Sequence, residues 1–164
     1  MNGFEAAEAR VALTCARHPA FPRTPAVVIR LIKHLYKRTQ DQANQVLRPW
    51  GINHTEYTVL MMLFGSEDYR LSPSELADAA MEKSTNITRL TDGLCTRGLI
   101  ARHVDEGDRR RVRLTLTPDG LAMIDAFLPA IGEMLARQTR TISADDLSQL
   151  ESLLKRFLDS VEHG

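Results

Sequence analysis

The stretch from residue 72 to residue 116 constrains the chain most, because it lays down two short helices and two short strands in a fixed order. Ser72-Pro73-Ser74-Glu75 is a helix start: the Ser72 hydroxyl can accept a free first-turn N–H, Glu75 can reach back to the cap, and Pro73 needs no donor there. The helix it opens is short, reaching about Ala80. Ser84 begins a second, in which Ile87, Leu90 and Leu94 share one face and Gly98 supplies a left-handed terminus after Arg97. Asp92-Gly93 has the form of a hairpin turn, but it lies inside this unbroken helical period and is read as helix. Ile100 to Val104 and Val112 to Leu116 then alternate apolar with polar or basic residues, as a half-buried antiparallel pair does. Between them lies a hairpin tip rich in arginine. Two short helices joined by a tight connection and followed by such a hairpin outline a winged helix-turn-helix.

Helical periodicity flanks this centre on both sides. Asn53 and Glu56 form a capping box before the apolar face of Tyr57, Leu60, Met61 and Phe64, a helix ending near Ser66. Upstream, Thr24 before Pro25 is a cap for a helix of about six turns, which carries Val28, Leu31, Ile32 and Leu35 and stops at Pro49 and Gly51. Before it, residues 1–24 read as a short Ala-rich helix from Glu5 to Arg17 and an extended arm interrupted by Pro19, Pro22 and Pro25. Downstream, Thr117 with Pro118 caps a helix carrying Leu121, Ile124, Leu128, Ile131 and Leu135, in which Pro129 predicts a kink. Ser143 caps the last helix, with a stripe of Leu147, Leu150, Leu154, Phe157, Leu158 and Val161. That stripe is too remote in the chain to serve the small central motif and calls for a partner. The expectation is a mainly α protein with a small β-hairpin wing. Residues 1–50 form an N-terminal arm and dimerisation helix, 51–118 the winged helix-turn-helix, and 119–164 the C-terminal dimerisation helices of a homodimer.

The 164 residues, 43% of them hydrophobic, suit one compact domain. Net charge is zero, with 21 basic and 21 acidic residues, so any attraction for nucleic acid has to be local. It is local: from Ser84 to Arg113, seven arginines stand against four acidic residues. No run approaches the roughly 20 apolar residues of a membrane span, and no basic stretch leads into an apolar one at the N-terminus, so a cytoplasmic protein away from membranes is expected. Cys15 and Cys95 lie far apart without metal spacing and read as free thiols. Cys95 looks like a small packed residue, while Cys15 would be oxidisable if exposed. His18, His34, His54, His103 and His163 have no i, i+4 companions, and no phosphate loop, dinucleotide glycine pattern or serine elbow occurs. Neither catalysis nor a cofactor or metal is indicated.

The second helix of the motif opens with Ser84, Thr85, Asn86, Thr88 and Arg89, residue types that read bases and phosphates of double-stranded DNA. Asn86 matches an adenine edge and Arg89 a guanine or a phosphate, while the hydroxyls suit either bases or backbone. In the hairpin tip, Asp108 stands two residues before Arg110 and is placed to hold the loop in one shape. Arg109 or Arg110 would gain in a narrow, negative minor groove, and Arg102 and Arg111 could meet phosphates.

Several segments together resemble the MarR family of bacterial regulators: Pro73-Ser74-Glu75-Leu76-Ala77, Thr85-Asn86-Ile87-Thr88-Arg89-Leu90, Arg97-Gly98-Leu99-Ile100, Asp108-Arg109-Arg110 and Leu116-Thr117-Pro118-Asp119-Gly120. Ala16-Arg17-His18, Phe21-Pro22 and Gly51-Ile52-Asn53 are similar to the subgroup that represses multidrug-efflux operons. The resemblance implies a dimer built from both chain ends, a pseudo-palindromic operator, and release by small aromatic or phenolic effectors. It also implies a ligand pocket between dimer helices and winged helix, which puts Arg30, His34, Trp50, Tyr57 and Met61 in range. Lys83 stands where such proteins often carry a capping Ser or Asp, and Gly93 replaces a larger residue. Two other readings stay open: a regulator switched by cysteine oxidation, and a winged-helix module that docks a protein and binds no DNA.

Overall fold

The computed structural model describes residues 3–104 and 112–163. Helix α1 (Glu5–Arg17) folds back on α2 (Arg23–Leu47), which passes through a 3-10 turn (Arg48–Trp50) and left-handed Gly51 into α3 (His54–Phe64). A second 3-10 turn (Glu67–Tyr69) leads into the two-residue strand β1 (Arg70–Leu71). Helices α4 (Pro73–Ala80) and α5 (Ser84–Thr96) come next, then β2 (Ile100–Val104), β3 (Val112–Leu116), α6 (Pro118–Thr139) and α7 (Ala144–His163).

Four of the expected helix starts are made by the side chains that predicted them. Asn53 Oδ1 accepts from the Thr55 and Glu56 amides, while Glu56 accepts from the Asn53 amide at 2.9 Å. Ser72 and Glu75 form the same reciprocal box at α4. Thr117 Oγ1 accepts from Gly120 N–H at 3.0 Å, and Ser143 Oγ accepts from Asp146 N–H at 3.1 Å. Each removes an orphan first-turn donor at a local cost only.

The start of α2 differs from expectation. The helix begins at Arg23 with Pro22 as its cap, because first-turn amides have no helical acceptor and Pro25 fits anywhere in that turn. Arg23 is held there by Glu8 at 2.6 Å. The proline-rich arm is in fact a tight connection, with Phe21 N–H bonded to the His18 carbonyl at 2.9 Å, and α1 buries Val11 against the fold. Helix α6 runs as one element through Pro129.

The sheet is antiparallel in the order β1-β3-β2, with Ile100 opposite Leu116, Val104 opposite Val112 and Arg70 opposite Thr115. One core binds it to the helices: Leu60 and Leu63 of α3, Leu76 of α4, Leu94 of α5, Leu114 of β3 and Phe127 of α6 are all fully buried. Outside this core, two helical faces lie open. Helix α7 buries none of its residues and exposes Leu150, Leu153, Leu154 and Leu158, and the N-terminal half of α2 exposes Ile29, Leu35 and Tyr36. Among the described residues, no helix is long and apolar enough to cross a membrane.

Candidate nucleic-acid interface

Helix α4 ends at Met81, whose left-handed backbone (φ 52°, ψ 38°) turns the chain tightly towards α5. Helix α5 then buries Ile87, Leu90, Thr91 and Leu94 on one side. Ser84, Thr85, Thr88 and Arg89 are exposed on the other, as the 3.6-residue period requires. The cap position is Lys83, which offers no side-chain acceptor, so only the backbone closes the first turn. The predicted reading helix therefore has its polar front, but a start without a side-chain cap.

Not every predicted reader is free. Asn86 is half-buried; its amide donates to Glu82 Oε2 at 2.6 Å and its oxygen accepts from Arg89 Nη2 at 3.0 Å. Thr88 Oγ1 donates to the Ser84 carbonyl, which leaves its oxygen able to accept. Arg102 faces α5 and pairs with Asp92 at 2.7 Å, with Thr91 Oγ1 at 3.4 Å, so its guanidinium fastens β2 to α5. Asp108, Arg109, Arg110 and Arg111 lie outside the described residues.

The five residues expected around a ligand separate into two places. Trp50 and Tyr57 both meet the Phe127 ring edge-on, at 6.3 and 5.6 Å between centroids, and Met61 packs against the same core. Burial pushes the Tyr57 hydroxyl up and the neighbouring His54 imidazole down from their ordinary ranges. His34 instead stacks edge-on with Phe4 at 5.7 Å, and Arg30 leans on its own helix. At a rise of 1.5 Å per residue they sit about 20 Å or more along α2 from its junction with Trp50. Phe127, which centres the aromatic group, is not among the expected ligand residues, although its place three residues after Ile124 and four before Ile131 puts it on the same stripe.

Arg97 joins the aromatic group to α5. From the end of α5 it donates to the Trp50 carbonyl at 3.3 Å and lies 3.5 Å from Glu56 Oε1. Cys95 is half-buried, and burial pushes its thiol up, against the opposing pull of Arg102. Cys15 is likewise half-buried, its sulfur 3.8 Å from the Phe21 carbonyl.

Residues 52–112 match the model of the MarR family. The transcriptional repressor MprA of Escherichia coli K12 is 30% identical over 161 residues, 98% of this chain and 92% of its own length. The chain belongs to the MarR family. Among solved structures, a cysteine-to-serine mutant of MarR from E. coli complexed with operator DNA superposes on this MarR-family chain with a TM-score of 0.72 at 27% identity, covering 79% of it and 91% of the mutant. The S. aureus MepR–DNA complex superposes with a TM-score of 0.74 at 25% identity, over 79% of this chain and 95% of that one. The mainly helical winged-helix architecture expected from the sequence is thus the architecture of its family.

Proposed function

We propose that this MarR-family protein is a homodimeric transcriptional repressor that binds a pseudo-palindromic operator in double-stranded DNA and lets go when a small aromatic or phenolic ligand binds. The observation that carries the reading is α5: a helix seated on the core by Ile87, Leu90 and Leu94, with Ser84, Thr85, Thr88 and Arg89 presented to solvent at its N-terminal half. That is the end a recognition helix inserts into the major groove. Asn86 reads a base only by giving up Glu82, and Arg102 reaches a phosphate only by giving up Asp92. The loop from Asp108 to Arg111 supplies the minor-groove and phosphate contacts.

The open apolar faces of α2 and α7 support a homodimer, with residues 1–50 and 119–164 pairing and 51–118 reading DNA. Two-fold pairing would present two reading helices about one helical turn of DNA apart, on a palindrome. The aromatic ligand is placed beside Trp50, Tyr57 and Met61, where Arg97 ties the site to α5. Arg30 and His34 are assigned to the dimer-forming stretch of α2 rather than to ligand contact. A ligand can relieve repression only by favouring the arrangement that does not fit DNA, and a coupling of about 1–3 kcal/mol lowers operator affinity roughly 5- to 150-fold. The role is regulatory, in the cytoplasm, and requires no cofactor.

Fluorescence anisotropy on the chain's own promoter tests the reading. Binding should exceed that to random duplex at moderate salt, and Thr85→Ala with Thr88→Ala should erode the preference while the protein stays folded. Equal affinity for promoter and random duplex would refute sequence-specific repression.

A further inference from the structure

The solvent face of the wing sheet carries a row of basic side chains that the reading above does not use. Arg70 of β1 stands opposite Thr115 of β3, and His103 of β2 stands opposite Arg113 of β3. These positions share one face, because Leu114, between Thr115 and Arg113, points into the core. His103 Nε2 and Thr115 Oγ1 are hydrogen-bonded at 3.0 Å, which ties the two pairs into one row. Arg70, His103, Val104 and Arg113 line a cleft of about 230 Å³.

Charge in this row is only partly answered. Arg113 lies 2.9 Å from Glu75, while Arg70 forms no ion pair among the described residues. His103 and Arg113 stand directly opposite each other and both are exposed. Arg70 also enters β1 through two successive left-handed residues, Asp68 and Tyr69, both at φ 54°. Neither is glycine, so the turn that puts Arg70 on this face carries backbone strain. The row lies beside the last strand pair, Val104 with Val112, where the arginine loop is joined.

We propose that Arg70, with His103 and Arg113, forms a site for a phosphate group, filled by the DNA backbone next to the position taken by the wing loop. The site gives affinity without sequence information, since a phosphate is the same beside every base. This rests on the DNA-binding reading, but it can be tested on random duplex as well as on promoter.

The test measures binding of the full chain to both duplexes across a salt series, for the wild type, Arg70→Gln, Arg70→Lys and the double variant Arg70→Gln with His103→Gln. Each lost phosphate contact should flatten the log–log salt slope by about 0.9, so R70Q in a dimer should flatten it by about 1.8. Promoter preference should be unchanged, and R70K should restore most of the slope. Unchanged slopes in R70Q and in the double variant, with a wild type that still prefers its promoter, would overturn the site and leave repression standing. Lost preference in R70Q would also overturn it, because a backbone contact cannot carry preference. A third arm follows the His103 ring by NMR in inorganic phosphate at matched ionic strength. Saturable shifts alongside unchanged DNA slopes would assign the cleft to a free phosphorylated ligand and refute the backbone assignment. A wild type that binds random duplex without preferring the promoter refutes the repressor reading alone, and the slopes still decide the site.

Discussion

Two glycines inside helices are predicted to respond to alanine with opposite signs. Gly120, in the first turn of α6, is buried against Leu99, just ahead of β2: a Cβ built on it would lie 2.1 Å from the Leu99 carbonyl oxygen and 3.1 Å from its carbon. A C–H···O contact needs about 3.3 Å, so the two backbones must part by more than an ångström. That movement pulls on the hydrogen bond from Thr117 N–H to the same Leu99 carbonyl (3.2 Å) and on the Thr117 hydroxyl bond to Gly98 (2.6 Å). One weakened hydrogen bond costs about 1 kcal/mol and overpacking against backbone about 1–3 kcal/mol, offset by the better helix propensity of alanine, worth up to about 1 kcal/mol. Gly120→Ala should therefore destabilise by about 1–3 kcal/mol, a large part of the usual margin. Gly93, exposed on α5, meets nothing within 4 Å of its built Cβ, so Gly93→Ala should stabilise by about 1 kcal/mol through propensity alone. Urea titrations at one fixed protein concentration measure both, since the midpoint of the proposed dimer would depend on concentration. A Gly120→Ala loss below about 1 kcal/mol at unchanged m-value would refute the reasoning, by showing that the β2–α6 approach relaxes without cost.

Lys83→Ser should add about 0.5–1 kcal/mol by giving α5 the side-chain cap it lacks, read from the urea midpoint. Glu75 is held below its ordinary carboxylate range chiefly by hydrogen bonds from Ser72, with Arg113 helping. Its contribution is thus complete above its ordinary value of 4.5 and lost as pH falls through the lower folded value. Thermal melts of wild type and Glu75→Gln should accordingly converge only in acid below that range, and a gap that closed at higher pH would contradict the assignment. Leu150→Asp with Leu154→Asp should turn dimer into monomer by light scattering and abolish operator binding; a variant that stayed dimeric would place the interface elsewhere.

The features legible in the sequence are those a few neighbouring residues settle among themselves. Asn53 with Glu56, and Ser72 with Glu75, can be read as caps because donor and acceptor sit three residues apart. Gly98 ends α5 at φ 71°, the conformation its residue type favours. Strands β2 and β3 match their expected bounds because their alternation puts Ile100 and Leu114 on the face that the core buries. Pro25 misled where its signal is weakest, since any first-turn position accepts it. The packing of α1 on α2 depends on Val11 meeting residues across a turn, which no local pattern reports.

The candidate interface divides along the same line. Exposure of Ser84, Thr85, Thr88 and Arg89 follows from helical period, whereas the engagement of Asn86 by Glu82 needs rotamers, although their i, i+4 spacing permits it. Strand β1 is the extreme case: two residues have no period, and the strand exists only because β3, far along the chain, offers an unpaired edge. Its approach uses left-handed Asp68 and Tyr69, where a sequence reader would look for glycine or asparagine. Arg70 therefore reads as one loop cation among many until pairing puts it opposite Thr115 and on one face with His103 and Arg113. A reading helix can be found from its own residues, but a backbone site shared by three strands exists only in their register. For that reason, loss of Arg70 should act on affinity and leave preference to α5.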